Sequence, residues 1–278
     1  MNAFYGTNRQ SPRAKSPPMQ PSVVAHPLSS KRRPYDIGAI ALLLDVDGTI
    51  LDTASTPSSV IVPSSLRSSL EELHTRTDGA LALVSGRLIR DLDVLFKPLR
   101  LPAIGGHGAE MRLASAEVTR TRGNNTIDGA LRSLIAAAAT SDPRVVLEDK
   151  GSSLAVHYRL APWMEQTLRT KIASIITRVG PEDVEIMHGK AVIEIKSTHF
   201  NKGEAVLEMM TNVPFARRQP VFIGDDTTDA SVFTVLPTLG GIGYSVERAI
   251  PGAIGAFDSP KDVRSWLASL VRHEERGQ

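Results

Sequence analysis

The chain has 278 residues, of which 41% are hydrophobic and 22% charged, so it is large enough for one sizeable globular domain or two smaller ones. It has no cysteine, which excludes disulfides, thiolate metal sites and cysteine nucleophiles. No stretch approaches the roughly 20 apolar residues of a membrane span. The net charge of +2 falls to about −4 without the six basic residues that precede Asp36, which argues against a nucleic-acid-binding surface.

The N-terminal segment, residues 1–37, is predicted to be a disordered basic tail, because it is rich in Pro and Ser and lacks apolar periodicity. An organelle transit peptide and a nuclear signal at KRRP (31–34) are the alternatives. Six prolines would interrupt the helix that a transit peptide needs. The segment contains no signal-peptide core, so we expect a cytoplasmic location.

Short apolar runs then alternate with helical patterns. They predict a strand at 39–45, a helix from Pro63, a strand at 80–87, a short helix near 88–96 and a strand with a glycine-rich bend at 102–110. Leu66, Leu70 and Leu73 share one face of the first helix. The continuous apolar character of the first two strands is typical of strands that are buried on both faces.

The pattern changes over residues 113–195. These residues predict a helix at 127–140, strands at 144–149 and 152–159, a helix from Pro162 to about 179, and strands at 183–189 and 190–196. In the second of these strands, Leu154, Val156 and Tyr158 alternate with more polar positions, which indicates a sheet with one covered face. The order is therefore α-β-β-α-β-β, an antiparallel layer with its helices on one side.

The alternation of helices and strands resumes in the last part of the chain. It predicts a helix at 202–211, a strand at 220–226, a helix at 227–235, a strand near 239–243 and a helix at 260–271. The predicted fold class is α/β, with a Rossmann-like parallel-sheet core formed by 38–112 and 196–278. A smaller α+β domain, 113–195, is inserted between its halves.

Polar residues end three of the predicted strands. They are Asp45, Ser85, and the pair Asp225 and Asp226. Ligands of an open parallel sheet bind at the carboxyl ends of its strands, so these side chains should converge, with Lys202 at the start of a nearby helix. Oxygen donors without His or Cys favour a hard cation such as Mg²⁺. Lys202 and the amides around Gly48 suit an anion, so a combined metal and phosphate site is predicted.

Four motifs carry a resemblance to a known family. DVDGT (45–49), VSGR (84–87), NKG (201–203) and GDDTTD (224–229) resemble, in this order, the motifs of the haloacid dehalogenase superfamily, and the insertion resembles its α+β (C2-type) cap. Within it, the chain is similar to the trehalose-6-phosphate phosphatases through GGHGAE (105–110), VHYR (156–159) and HGKAVIEIK (188–196). The resemblance covers about residues 38–270 and departs from the usual pattern at Ala230, where the family has Glu.

The resemblance implies Mg²⁺-dependent hydrolysis of trehalose 6-phosphate to trehalose and phosphate, as part of trehalose biosynthesis. Asp45 would be the nucleophile that forms an aspartyl-phosphate. Asp47 would act as general acid and base, and Ser85 and Lys202 would bind the phosphoryl group. The metal ligands would be Asp45, the Asp47 carbonyl and Asp225, supported by Asp226 and Asp229.

The resemblance also implies a set of residues that bind the substrate. They are Gly48, Thr49, Arg87, His107, Glu110, Lys190, Glu194 and Lys196. The expected partners are the small-molecule substrate and a trehalose-phosphate synthase, with neither nucleic acid nor membrane.

Other interpretations stay open from the residues alone. The chain could be another capped phosphatase, acting on sucrose phosphate or a hexose phosphate, or a non-catalytic sugar-phosphate sensor. DVD also matches the Asp-X-Asp of nucleotide-sugar glycosyltransferases, although this leaves Lys202 and GDDTTD unexplained. Among single residues, Arg87 could pair with a core acid, and Asp226 and Asp229 could cap a helix.

Overall fold

The computed structural model describes residues 36–53, 60–122, 127–180, 183–189 and 191–272, so nearly all of the predicted tail lies outside the described residues. The strands are β1 (Ile40–Leu44), β2 (Leu81–Val84), β3 (Ala103–Gly105), β4 (Glu110–Arg112), β5 (Arg120–Thr121), β6 (Val146–Asp149), β7 (Ser153–His157), β8 (Val184–Gly189), β9 (Val192–Ser197), β10 (Gln219–Gly224), β11 (Ile242–Val246) and β12 (Gly255–Phe257). The α-helices are α1 (Ser64–Arg76), α2 (Ile89–Phe96), α3 (Gly129–Ala139), α4 (Glu165–Val179), α5 (Lys202–Met209), α6 (Ala230–Val235) and α7 (Pro260–Arg272).

The larger sheet has the strand order β12-β11-β10-β1-β2-β3-β4-β5. The strands from β12 to β3 run parallel, and β4 and β5 are antiparallel additions at one edge. Parallel strands require crossover connections, which the helices supply on both faces. This arrangement confirms the predicted α/β fold class.

Successive residues of β1 enter different hydrophobic clusters because side chains alternate across a strand. Leu42 and Leu44 pack with α1 and α7 on one face. Ala41 and Leu43 pack with α5 and α6 on the other. Both faces are thus covered, which explains why β1 is apolar at every position and why its polar residues begin only where the strand ends.

The smaller sheet has the order β6-β7-β9-β8 and is antiparallel throughout. The predicted α-β-β-α-β-β order is observed, and α3 and α4 pack on one face through a third hydrophobic cluster. The opposite face carries polar side chains, among them Ser153, Glu194 and Lys196, all of which are buried. On this face, Glu194 lies 3.3 Å from His107, in the turn after β3 of the larger sheet.

Four strands differ most from the sequence prediction. Residues Leu236–Leu239 form a 3-10 turn, so β11 begins at Ile242, three residues after the predicted start. The short strands β4, β5 and β12 were not predicted as separate strands, because two or three residues carry too little periodicity. The division of the chain into domains at 112/113 and 195/196 stays a prediction. The strand β5, at Arg120–Thr121, lies within the predicted smaller domain but pairs with the larger sheet.

Among the described residues, every helix is too short or too polar to cross a bilayer.

Candidate active site

The ends of three neighbouring strands define the candidate site. In the larger sheet β1 lies between β10 and β2, so Asp45, Ser85 and Asp225, which follow these strands, share one edge. The Asp45 amide donates to the Ile223 carbonyl oxygen of β10 at 2.9 Å, which fixes the loop after β1 against its neighbour. The structure thus brings together side chains that are far apart in the sequence.

Lys202 joins two acids beneath this edge. Its Nζ lies 2.8 Å from Asp45 Oδ1 and 2.7 Å from Asp229 Oδ1, and its side chain is only 3% exposed. Burial by itself lowers the pKa of Lys202, but the Asp229 and Asp45 carboxylates outweigh this effect and raise it above its usual value. Lys202 therefore stays charged, and its position at the start of α5 is held by Asn201, whose side chain caps the helix.

Thr49 and Gly48 bring Asp225 close to Asp45. The Thr49 hydroxyl is within hydrogen-bonding distance of both acids, 2.9 Å from Asp45 Oδ2 and 3.1 Å from Asp225 Oδ1. Gly48 has φ +83°, and a Cβ atom there would lie 2.2 Å from Asp225 Oδ2. A glycine is thus required both by the backbone conformation and by the close approach of the Asp225 carboxylate.

Asp45, Asp225 and Asp229 form what we call the carboxylate cluster, since one oxygen from each lies within 4.8 Å of the others. Burial and the charges of Asp229 and Asp225 raise the pKa of Asp45, against the attraction of Lys202. Burial and the charge of Asp229 raise the pKa of Asp225 to about 6. Three carboxylates face one ammonium, and this excess of negative charge with oxygen-only donors suits a hard divalent cation.

Asp47 is held by Arg87. The guanidinium donates from Nε at 2.6 Å and from Nη2 at 2.7 Å to the two carboxylate oxygens of Asp47. This two-point contact is the strongest form of the Arg–carboxylate pair and fixes the carboxylate plane. The Ser85 hydroxyl accepts from the Arg87 amide at 3.1 Å, so one short loop positions Ser85 and Arg87 together.

Asp226 precedes, and Asp229 ends, the 3-10 turn Thr227–Asp229 before α6. The Asp226 carboxylate accepts from the Thr227 amide at 2.6 Å, and the Asp226 amide donates to Asp229 Oδ2 at 3.0 Å. Asp229 thus has a capping contact through one oxygen and Lys202 through the other. Arg248, which no sequence motif identified, donates to the Asp225 carbonyl oxygen at 2.9 Å and to Asp226 Oδ1 at 3.2 Å.

Glu194 lies on the polar face of the smaller sheet and contacts His107 in the turn between β3 and β4. Its Oε1 accepts from the Ser153 hydroxyl at 2.7 Å and from Lys150 Nζ at 3.3 Å, and its Oε2 faces His107 Nε2 at 3.3 Å. We call these four residues the Glu194 bridge. Burial alone would raise the pKa of Glu194, but the His107 contact, with Lys150 and Ser153, holds it well below its usual range.

The remaining predicted substrate residues are distributed as follows. Lys196 donates to the Phe200 carbonyl oxygen at 3.1 Å and pairs with Glu185 at 2.6 Å. Glu110 accepts from the Ile89 amide at the start of α2, at 2.7 Å. Lys190 lies outside the described residues.

A cavity of about 280 Å³ lies between the two sheets, just below the range of roughly 300–1,000 Å³ that is typical of ligand pockets. Its lining includes Asn201, Lys202 and Thr228 from the side of the larger sheet and Glu185, Met187 and Lys196 from the smaller one. Lys202 links this cavity to the carboxylate cluster, so a bound group could contact both.

Comparisons with known proteins agree with this geometry. A family profile described as Trehalose-phosphatase matches residues 43–253. The chain is 40% identical to a probable trehalose-phosphate phosphatase of Sinorhizobium fredii, over 85% of this chain and 89% of that protein. It is 38% identical to the trehalose-6-phosphate phosphatase of Escherichia coli, over 83% and 86%. Its fold is similar to the C-terminal domain of the Candida albicans trehalose-6-phosphate phosphatase, with a TM-score of 0.70, 22% identity, and coverage of 83% of this chain and 91% of that one.

Proposed function

Because the chain belongs to the trehalose-phosphatase family, we propose that it hydrolyses trehalose 6-phosphate to trehalose and inorganic phosphate. The observation that carries the proposal is the buried contact of Lys202 with Asp45 and Asp229 beside Asp225, at the edge where three strands end. A glycosyltransferase that merely shares the Asp-X-Asp pattern has no use for this arrangement.

In the first step Asp45 attacks phosphorus. A carboxylate oxygen of Asp45 forms a bond to phosphorus as the bond to the sugar oxygen breaks, and Asp47 gives that oxygen a proton. Lys202 and Ser85 bind the phosphoryl oxygens and offset their charge. The products of this step are free trehalose and an aspartyl-phosphate on Asp45.

In the second step water replaces Asp45 on phosphorus. Asp47, now a carboxylate, takes a proton from the water molecule as its oxygen bonds to phosphorus, and the bond to Asp45 breaks. Phosphate is released and both acids return to their first state. In the structure both carboxylate oxygens of Asp47 accept from Arg87, which is the contact of the ionised form and holds it in one orientation for this second proton transfer.

The carboxylate cluster fits a metal, and we propose Mg²⁺ as that metal. Asp45, Asp225 and the Asp47 carbonyl would hold it, and Asp229 and Asp226 would support these ligands through Lys202 and the turn before α6. When bound, the ion would supply positive charge to the phosphoryl group. Thr49 and Gly48 would bring Asp45 and Asp225 to the spacing that a shared ion requires.

The polar face of the smaller sheet supports sugar recognition. Glu194 and Lys196 lie there, with Glu194 beside His107, and charged groups make strong hydrogen bonds to hydroxyls. Three further points stay predictions: the role of Lys190 in substrate binding, the cooperation with a trehalose-phosphate synthase, and the cytoplasmic location.

The test is phosphate release from trehalose 6-phosphate, sucrose 6-phosphate and glucose 6-phosphate, each with Mg²⁺ and with EDTA. We expect selective release from trehalose 6-phosphate that EDTA abolishes. Metal-dependent release from a different sugar phosphate would keep the reaction and overturn the substrate. No release from any of the three would contradict the proposed activity and favour a non-catalytic sensor.

A further inference from the structure

Arg248 is an exposed cation beside the carboxylate cluster, and the proposed reaction gives it no role. It lies in the loop between β11 and β12, and its side chain is 54% exposed. Its Nε donates to the Asp225 carbonyl oxygen at 2.9 Å, and its Nη2 donates to Asp226 Oδ1 at 3.2 Å. An exposed ion pair contributes little to stability by itself, so the contact with the Asp225 backbone is the more informative of the two.

Asp225 lies just past the point where the larger sheet holds the chain. The pairing of β10 with β1 ends at Ile223, and its pairing with β11 ends at Gly224. Strand pairing therefore does not fix the backbone of Asp225, although its carboxylate belongs to the carboxylate cluster. The hydrogen bond from Arg248 gives this backbone a fixed point on the side of β11.

The two contacts of Arg248 hold a single peptide unit. They end on the carbonyl oxygen of Asp225 and on the side chain of Asp226, which flank the same peptide bond. The turn holds this unit from its other end, because the Asp226 amide donates to Asp229 Oδ2 at 3.0 Å. A guanidinium is a rigid planar group, so it keeps its two acceptors at a set spacing. The peptide that precedes the turn is thus fixed from two directions.

The loop that carries Arg248 is itself held in a strained conformation. Glu247 has φ +59°, in the left-handed region that residues other than glycine rarely adopt. Its amide donates to the Phe257 carbonyl oxygen at 2.8 Å, and the Arg248 amide donates to the Val246 carbonyl oxygen at 2.7 Å. Such strain persists where surrounding contacts determine the backbone, and it is most frequent at functional sites. Arg248 therefore extends from a backbone that is fixed against β12.

We propose that Arg248 is a positioning residue that fixes the peptide between Asp225 and Asp226 and thereby orients the Asp225 carboxylate toward the metal. The metal rests on the proposed function, whereas the fixed peptide rests on the contacts of Arg248 alone. Charge and position act in opposite directions here. A guanidinium near the cluster repels a divalent cation, but an oriented carboxylate binds one more tightly. The direction of the change in metal affinity without Arg248 therefore distinguishes the two effects.

The first test is calorimetric titration of the free protein with Mg²⁺, which requires no activity. In Arg248→Met we expect the Kd for Mg²⁺ to rise by about tenfold, as is typical when a residue that orients a ligand is removed. An unchanged or lower Kd would mean that Arg248 acts only through its charge, which contradicts the proposal. Arg248→Lys keeps the charge without the planar two-nitrogen group, so its Kd should lie between those of Arg248→Met and the wild type.

Arg120→Met is the matched control for the loss of an exposed cation. Arg120 is 67% exposed and pairs with an acid, Glu117, at 3.6 Å, but it lies on β5 at the opposite edge of the larger sheet from β11 and β12. The control should leave the Kd for Mg²⁺ unchanged. A rise in Kd as large as that in Arg248→Met would show that the effect is not specific to Arg248.

The second test follows amide hydrogen exchange in the protein with EDTA, so that it depends on neither metal nor substrate. The amides of Asp226 and Asp229 both make hydrogen bonds within the turn. In Arg248→Met, peptides that cover residues 225–229 should exchange at least about fivefold faster, because the turn loses its contact with the loop after β11. Unchanged exchange would overturn the proposal.

The third test separates positioning from direct participation in the reaction. In Arg248→Met, the Mg²⁺ concentration for half-maximal release of phosphate from trehalose 6-phosphate should rise together with the Kd. At saturating Mg²⁺, kcat should stay within about threefold of the wild-type value, because Asp45, Asp47 and Lys202 are unchanged. A large loss of kcat that Mg²⁺ does not restore would show that Arg248 acts on the reacting groups, which contradicts a positioning role.

The proposed function and the positioning role fail separately. If the wild-type protein releases no phosphate from trehalose 6-phosphate, but Arg248→Met binds Mg²⁺ more weakly and exchanges faster at 225–229, the proposed function is wrong and the positioning role stands. If activity is present and both the Kd and the exchange are unchanged in Arg248→Met, the reverse holds.

Discussion

The two buried polar clusters of this protein differ in how their charges are compensated. In the carboxylate cluster, three acids share one lysine, Lys202. In the Glu194 bridge, a single acid has Lys150, Ser153 and His107. The first cluster is therefore built to receive positive charge from outside, whereas the charge of Glu194 is already compensated within the second.

The carboxyl groups of the two clusters have pKa shifts in opposite directions, because their neighbours differ in charge. Burial and neighbouring acids raise the pKa of Asp45 and Asp225. In the bridge, burial is outweighed by hydrogen bonds and a neighbouring ammonium, which lower the pKa of Glu194. A buried acid with too few positive partners favours a bound cation, whereas one whose charge is compensated stays ionised without a cation.

Removing the central acid of the carboxylate cluster should have the largest effect. Asp45→Asn replaces the nucleophile with an amide of the same shape, so turnover of trehalose 6-phosphate should fall by more than about a thousandfold. The fold should survive, because the change also removes repulsion from Asp225 and Asp229. The measurement is steady-state phosphate release together with thermal unfolding.

Asp78→Asn is the matched control, since the Asp78 side chain is 95% exposed and far from the cluster in the sequence. It should leave turnover and unfolding unchanged. Activity of Asp45→Asn near that of the control would rule out the covalent mechanism.

The next largest effect should come from a substitution of Gly48, which lets the Asp225 carboxylate lie close to the backbone. Gly48→Ala adds a Cβ atom 2.2 Å from Asp225 Oδ2 at a φ of +83°, so the carboxylate must move. We expect destabilisation of about 1–3 kcal/mol from the strained backbone and the clash, and weaker binding of Mg²⁺. Chemical denaturation measures the loss of unfolding free energy, and calorimetric titration measures the loss of affinity for Mg²⁺.

Gly240→Ala serves as the control, because Gly240 also has a positive φ, +62°, but nothing lies within 4 Å of the added Cβ. It should show backbone strain without any loss of Mg²⁺ affinity. Equal Mg²⁺ affinities for the two variants would argue against Asp225 as a ligand.

The smallest effect is a pH dependence of the Glu194 bridge. Because the folded-state pKa of Glu194 lies below its usual 4.5, the ionised form is stabilised by folding. This contribution is fully present above the unfolded-state pKa and is lost as pH falls toward the folded-state value. The groups that face Glu194 are His107 and Lys150, with the charge of Glu148 opposing them.

Glu194→Gln removes this titration, so its unfolding free energy should fall less steeply than that of the wild type as pH decreases below about 4.5. Denaturant unfolding at a series of pH values from 6 to 3, at fixed ionic strength, provides the comparison. Parallel curves for the two proteins would show that Glu194 is not held ionised by its partners.

The sequence determined the elements whose signals are local. Leu66, Leu70 and Leu73 predicted the buried face of α1, and all three are buried. The apolar run before Asp45 predicted β1, which is buried on both faces because it lies in the middle of a parallel sheet. The α/β alternation and the α-β-β-α-β-β insertion followed from periodicity, which each segment carries by itself.

The tertiary structure decided the pairings. Segments distant in the chain meet at each of these contacts. Arg87 holds Asp47, Thr49 joins Asp45 to Asp225, and Lys150 reaches Gly86. Sequence patterns identify the residue types that such contacts need, but a lysine in a turn looks the same whether solvent or a second sheet covers it. Burial makes the difference, since only a buried charge must find a partner, and burial is fixed by the packing of the two sheets.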